Sequence, residues 1–222
     1  PTVACGPGIA DGLLAAGCRP VATIANGIGP APQPVGRAEL LDMFALPADA
    51  RVVLVVGRLV EQKNQQLALR ALARLPAEVH LVLVGEGADR PALAGLAAEL
   101  GLGGRLVFAG RRPGRPLMAG ADVICVPSRW EGMPLVAMEG MASGRPVVVT
   151  DVRGSRELLQ DGRTGLVVPA EDAGALAAGI ARLLQEPELA AGLGAAAAHE
   201  SAGWSDQAMA QAYLDLYRGL AS

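Results

Sequence analysis

Aromatic side chains make up 3% of this 222-residue sequence, histidine occurs twice and cysteine three times. Each shortage removes a class of function. There is no set of rings on which bases could stack and no basic run. The formal net charge is −3, so the chain does not read as a nucleic-acid binder. Cys5, Cys18 and Cys125 are odd in number and widely spaced, which fits neither a disulfide framework nor a metal site. Reduced thiols of a cytoplasmic protein are the expectation. His80 and His199 alone do not make a histidine metal centre. The longest apolar runs are strand-sized, so no membrane-spanning helix is predicted. No leader pattern is read at the start, and Pro1 in place of Met suggests processing or cutting.

What is present is apolar and small. Hydrophobic residues make up 51% of the chain, enough for a full core of Leu, Val, Ile and Ala. Short β-branched runs alternate with helical periods. Strands are predicted at Arg51–Val56, His80–Val84, Arg105–Phe108, Asp122–Val126, Pro146–Val149 and Leu166–Val168. Helices are predicted between them at Gln62–Leu75, Asp89–Leu100, Pro134–Ala142 and Ser155–Gln160. Strands that are apolar throughout, joined by helices, imply an α/β fold with a doubly wound parallel sheet covered on both faces. Beyond Val168 only helices are expected, at Asp172–Gln185, Pro187–Glu200 and Ser205–Leu220. The start differs. Thr2–Cys5 reads as a strand, Ile9–Ala16 as a helix and Val21–Ile24 as a strand, ending in the turn signal Asn26-Gly27. Pro30-Ala-Pro32-Gln-Pro34 reads as a linker. The expected organisation is therefore residues 1–29 as the tail of a preceding domain, 30–36 as a linker and 37–222 as the main domain.

The most informative stretch runs from Pro127 to Thr150. Glu131 and Glu139 bracket a turn, Gly132-Met133-Pro134, that enters a helix. Free N–H groups and the positive end of a helix there suit an anion such as a diphosphate. The flanking carboxylates can accept hydrogen bonds from sugar or ribose hydroxyls. A loop carboxylate and a surface-helix carboxylate are the plainer alternative, but Glu139 lies in an otherwise apolar helix, where a charge needs a partner. Gly57-Arg58-Leu59, followed by Lys63, closes the first strand of the main unit. The glycine permits close approach to the backbone, and the two cations suit a leaving diphosphate. Taken alone, these are ordinary loop charges. Gly85-Glu86-Gly87 lacks the remainder of a dinucleotide fingerprint and reads as a tight turn, with Asp89 capping a helix that has Pro91 in its first turn. After Phe108, the Gly110-Arg111-Arg112 turn could meet a nucleobase or be a plain polar turn. Asp151-Val-Arg-Gly154-Ser-Arg-Glu157 is a further glycine-bearing loop bordering the same crevice.

In this order the pieces resemble the large family of retaining GT-B-fold glycosyltransferases called family four, or glycosyl transferases group 1. Residues 127–148 match its frame of two glutamates with seven residues between them. Gly57-Arg58-Leu59…Lys63, Asp161-Gly-Arg-Thr-Gly165-Leu-Val-Val-Pro169 and Thr23-Ile24-Ala-Asn26-Gly27-Ile28 match three more of its elements. Asn64 departs from the Gly usual after the lysine, Gly140 from the common Ala, and Ala25 from the frequent Pro.

The resemblance implies a domain that binds a nucleotide-diphosphate sugar. Arg58 and Lys63 would hold the diphosphate beside Gly57, Glu131 would accept sugar hydroxyls and Glu139 would bind the ribose. Backbone N–H groups of Met133, Leu135 and Val136, around Gly132 and Pro134, would cradle sugar and phosphate. Arg111 would lie near the base. Glu131, Arg58 and Lys63 would carry catalysis. No metal or other cofactor is expected, because those cations and the helix end supply the positive charge and no Asp-x-Asp motif is present. The acceptor would bind mainly to an N-terminal domain missing from this chain, and any peripheral membrane association would run through that domain. A stand-alone nucleotide-sugar-binding module is the alternative. A nicotinamide dehydrogenase would need a Gly-x-Gly-x-x-Gly turn after the first strand, which Gly57-Arg58-Leu59-Val60 does not supply. An epimerase of the same fold would not be expected to show the two-glutamate frame.

Overall fold

The computed structural model describes residues 2–19, 21–30 and 32–221. Pro1 and Pro20 of the predicted tail, Ala31 of the predicted linker and Ser222 at the end of the predicted main domain lie outside the described residues. The chain opens with a small parallel unit of β1 (Thr2–Ala4), α1 (Pro7–Ala15) and β2 (Val21–Thr23). These two strands form a sheet of their own.

The main sheet holds β3 (Arg51–Val56), β4 (Val79–Val84), β5 (Leu106–Gly110), β6 (Val123–Val126), β7 (Val147–Thr150) and β8 (Leu166–Val168). Their spatial order is β5-β4-β3-β6-β7-β8, and all the pairings are parallel. The chain builds outward from β3 in one direction, then returns to build from β6 in the other. The boundary between β3 and β6 is thus the switch point, where the following loops diverge and leave a crevice. Residue alternation splits the core into two layers. Val53 and Val55 face one hydrophobic cluster, while Val52 and Leu54 face the other. The first layer is covered by α3 (Gln65–Leu72), α4 (Arg90–Glu99) and α8 (Ala173–Gln185); the second by α2 (Arg37–Met43), α5 (Arg115–Met118) and α6 (Leu135–Ala142). Helix α9 (Pro187–Ser201) reaches both, through Leu193 and Ala197. Fully buried side chains such as Leu54, Leu83, Ile124 and Met138 each contribute about 1.5–3 kcal/mol by leaving water.

Two departures from the family pattern have physical causes. Gly140 lets α6 lie close to the sheet: a Cβ there would stand 3.1 Å from Val147 and 3.2 Å from Ile124. Asn64 has φ 48° and ψ 45°, a left-handed conformation that glycine adopts freely and asparagine tolerates. That residue breaks the predicted helix 62–75 into a 3-10 turn, Glu61–Lys63, and α3. Other differences are local. The predicted helix 155–160 is a short α7, Arg153–Arg156. The third strand extends to Gly110, where its register with β4 shifts. Asp89 stands at the start of α4 without a capping bond, its backbone already helical; Asp172 does cap α8, accepting from Ala175 N at 2.9 Å. Helices α2 and α5 were not predicted. Cys125, buried in β6, has its thiol pushed up to about 12 by burial and is chemically inert. Helix α10 (Asp206–Ala221) follows a bridge between Ser205 and Ile28, which ties the chain's end to the junction after β2. Among the described residues no helix is long and apolar enough to cross a membrane.

Candidate functional site

The loops leaving β3 and β6 meet over the switch-point crevice. Lys63 Nζ stands 2.5 Å from Glu131 Oε1, and Ser128 Oγ donates to the same oxygen at 2.7 Å. Ser128 is itself fixed through its carbonyl, which accepts from the buried Thr150 Oγ1 at 2.6 Å. Glu131 is nearly buried, its side chain 6% exposed. Among the described residues no hydrogen bond reaches its Oε2. A carboxylate held by one oxygen, with the other still accessible, has acceptor capacity left for a ligand.

Lys63 is the single lysine of the sequence, a distinction that could have marked it at once among so many arginines. Arg58 lies on the same loop, exposed, and its guanidinium makes no hydrogen bond or ion pair with the described residues. Its carbonyl accepts from Gln65 Nε2 at 2.8 Å, which anchors the loop to the start of α3. Gly57 precedes it at the end of β3 and hydrogen-bonds back to the sheet through Val84 O at 2.9 Å.

After β6 the chain does not turn directly into a helix: residues 127–134 form a loop, and α6 begins at Leu135. Pro134 is its N-cap, outside the helix rather than in its first turn, with φ −72° and ψ 102°. Ala137 N donates to Pro134 O at 3.0 Å. The N–H groups of Leu135 and Val136 precede that first bond and have no helical acceptor. Gly132 is not in a positive-φ conformation, and a Cβ there would make ordinary contact, at 3.5 Å, with Cys5 and Ile9 of the small N-terminal unit. The need for glycine falls instead on Gly154 of α7, where a Cβ would lie 2.5 Å from Gly132 O and 2.6 Å from Glu131 O. Met133 faces the same unit: Asn26 N donates to its Sδ at 3.4 Å and Asn26 Nδ2 to its carbonyl at 3.5 Å.

Glu139 stands one turn further along α6, half-buried. Burial pushes its carboxyl above the ordinary value, and the charge of Arg115 offsets part of that. Arg115 donates to Gly29 O at 2.6 Å and Pro30 O at 3.1 Å rather than to Glu139. Arg111 is exposed on the loop after β5, two strands from β3, which is about 10 Å across the sheet. The structure thus joins Lys63 to Glu131 in direct contact, sets Arg58 and the α6 N-terminus on the same crevice, and leaves Arg111 apart.

The motifs did not point to the residues that hold this crevice together. Arg129 N donates to Gln62 O at 2.8 Å, and Gln62 Nε2 to Trp130 O at 3.1 Å. Arg129 also bridges Glu61 at 3.0 Å and Glu171 at 2.9 Å. A cavity of about 370 Å³ lies at the opposite edge of the sheet, lined in part by Arg51, Asp122 and Arg145. Its arginines are already engaged by Asp122 and by the Leu184 and Ala119 carbonyls.

Comparison with known proteins places the chain in a family. The family described as glycosyl transferases group 1 matches residues 37–200. The lipopolysaccharide core biosynthesis glycosyltransferase LpsE of Rhizobium meliloti (strain 1021) is 38% identical over 216 residues, covering 95% of this chain and 62% of LpsE. A D-inositol 3-phosphate glycosyltransferase of Thermobispora bispora is 37% identical, covering 84% of this chain and 47% of that protein. Among solved structures, Anabaena HepE in complex with UDP and glucose aligns with a TM-score of 0.91 at 25% identity, covering 98% of this chain and 62% of that one. Sucrose-phosphate synthase from Thermosynechococcus elongatus aligns with a TM-score of 0.88 at 33% identity, covering 98% and 57%. The chain therefore spans less than two thirds of the length of these relatives. Its parallel sheet with flanking helices is the Rossmann-like fold found in GT-B glycosyltransferases, and the chain belongs to the glycosyl transferases group 1 family.

Proposed function

We propose that this chain binds a nucleotide-diphosphate sugar at the switch-point crevice and forms one wall of a cleft that transfers the sugar to an acceptor with retention of configuration. The observation that carries the reading is the Lys63–Glu131 contact at 2.5 Å beside the open N-terminus of α6. Lys63 and Arg58 would neutralise the diphosphate as it leaves, acting on charge that develops in the transition state. The N–H groups of Leu135 and Val136 would add the positive end of the helix. Glu131, through its open oxygen, would accept sugar hydroxyls. Glu139 would accept the ribose hydroxyls, its raised carboxyl pKa easing when donors arrive. Metal-independent binding fits this arrangement of fixed cations. The acceptor would be held by a partner domain to which residues 1–29 belong, with 30–36 as the connection, and the setting would be cytoplasmic. HepE is described with UDP and glucose; that a uridine donor serves here as well is part of the proposal.

Calorimetric titration of the 222-residue chain with UDP, GDP and ADP, with and without chelator, tests this. At least one should bind at millimolar concentration or below, unaffected by the chelator. Transfer by the chain alone should be negligible, because orienting two reactants is worth about 7–11 kcal/mol and needs both walls. Absence of binding to all three nucleotides would refute the donor-site reading.

A further inference from the structure

Lys63 has a flexible four-carbon stem, and its contact with Glu131 depends on where the backbone on either side is held. On one side, Gln62 is tied to Arg129 and Trp130, immediately before Glu131. On the other, Asn64 Nδ2 donates to Glu171 Oε1 at 3.0 Å, and Arg129 Nε donates to that same oxygen at 2.9 Å. Glu171 arrives from the loop between β8 and α8. Its one oxygen therefore couples the residue after Lys63 to the segment that carries Glu131.

The backbone at Glu171 singles it out. Among the described residues three non-glycines have positive φ: Ala45, Asn64 and Glu171. Two of the three are hydrogen-bonded to each other in this network. At φ 59° a glycine would serve the chain better. Stability does not account for the carboxylate, since its side chain is 55% exposed and that of Arg129 is 32% exposed, and exposed pairs of this kind contribute little. What the arrangement does achieve is registration of two loops.

We propose that Glu171, acting through Arg129 and Asn64, is a positioning residue that holds the Lys63 ammonium against Glu131 and so pre-sets it for the donor diphosphate. The proposal rests on the donor-site reading. Pre-positioning removes the ordering that a free lysine would undergo when the ligand arrives.

The test is Glu171→Gly. Glycine suits the backbone conformation, so the thermal midpoint should hold or rise. Affinity for the nucleoside diphosphate that binds best should nevertheless fall about fivefold, the size expected for loss of one exposed charge contact, with the monophosphate affinity unchanged. Glu171→Gln, which keeps an oxygen for Asn64, should recover part of the loss. Equal diphosphate affinity in Glu171→Gly and the parent chain would overturn the proposal. Because Lys63 is the only lysine, reductive methylation with carbon-13 formaldehyde gives one side-chain signal besides the N-terminus. Without any nucleotide, that signal should move toward the position of a solvated dimethyl-lysine in Glu171→Gly. An unmoved signal refutes the positioning role even if no nucleotide binds. Failure of the parent chain to bind any nucleotide, with the signal still moving, would instead sink the donor-site reading alone.

Discussion

Strand β6 has an acid–base cluster at each end, and the two are built differently. Before the strand, Asp122 accepts from Arg37 Nη1 at 2.7 Å and Val52 N at 2.7 Å on Oδ2, and from Arg51 Nη1 at 3.1 Å on Oδ1. Both oxygens are occupied. After the strand, Glu131 is more deeply buried, 6% against 14% exposed, yet its two bonds fall on a single oxygen. Buried acceptors are normally satisfied. The Asp122 end obeys that rule and joins α2, β3 and β6. The Glu131 end leaves its second oxygen open to the crevice, outside the buried unpartnered atoms, beside a helix N-terminus with spare donors. Saturation marks the structural end and unused capacity the end that suits a ligand.

The largest effect expected from breaking this contrast is on stability. Asp122→Ala strands Val52 N at the beginning of central strand β3, where Val52 is 0% exposed, while the half-exposed Arg37 and Arg51 can return to water. The cost should be about 2–3 kcal/mol, a fall of several degrees in the thermal midpoint. Nucleotide affinity measured well below that midpoint should not change. A melt paired with a titration checks both, and weakened binding with an intact midpoint would reverse the assignment of the two ends.

At the other end the signs should exchange. Lys63→Met should weaken nucleoside diphosphate binding roughly tenfold, the worth of a charge-assisted hydrogen bond, with a smaller effect on the monophosphate. It also leaves the Glu131 carboxylate short of its cation, which should cost about 1–3 kcal/mol. Adding Glu131→Gln should restore the midpoint and not the binding. In an enzyme carrying both cleft walls, Glu131→Gln alone should reduce transfer more than nucleotide binding. Recovery of diphosphate affinity in the double variant would show that neither side chain addresses the ligand.

Sequence made some of this visible and hid the rest for definable reasons. Strands β3 and β8 have the predicted bounds, because an unbroken β-branched run has few other uses. The break at Asn64 was invisible, since helical periodicity does not report a left-handed residue. Helices α2 and α5 are seven and four residues long, too short for a periodic signal. In the site, the motifs identified Lys63 and Glu131 but not their contact, which spans 68 positions. Arg129 lies inside the matched frame without a role read for it, Glu171 lies outside every motif, and the two meet only because the loops after β6 and β8 fold over the same edge of the sheet. Gly132 and Gly154 show the converse: the motif named the first, whereas the close backbone approach falls on the second.

The smallest predicted effect concerns Glu139, which has neither saturation nor a cation in contact. Burial raises its carboxyl pKa above 4.5, with Arg115 working weakly the other way. A carboxyl whose pKa is higher folded than unfolded favours folding while it is protonated in the native state. That contribution is complete below about pH 4.5 and is lost as the pH rises through the raised value. Glu139→Gln mimics the protonated form at every pH. Its thermal midpoint should match the parent chain under acid conditions and lie slightly above it from neutral pH upward, the gap opening with pH. Solvent screening keeps that gap small for a half-exposed group. A series of melts across the pH range measures it. The same variant should weaken nucleoside diphosphate binding, so stability and affinity would move in opposite directions at one residue. A substitution that lowers the midpoint at neutral pH would mean that Glu139 is held by favourable contacts after all, and would remove the reason to regard its carboxylate as waiting for a ligand.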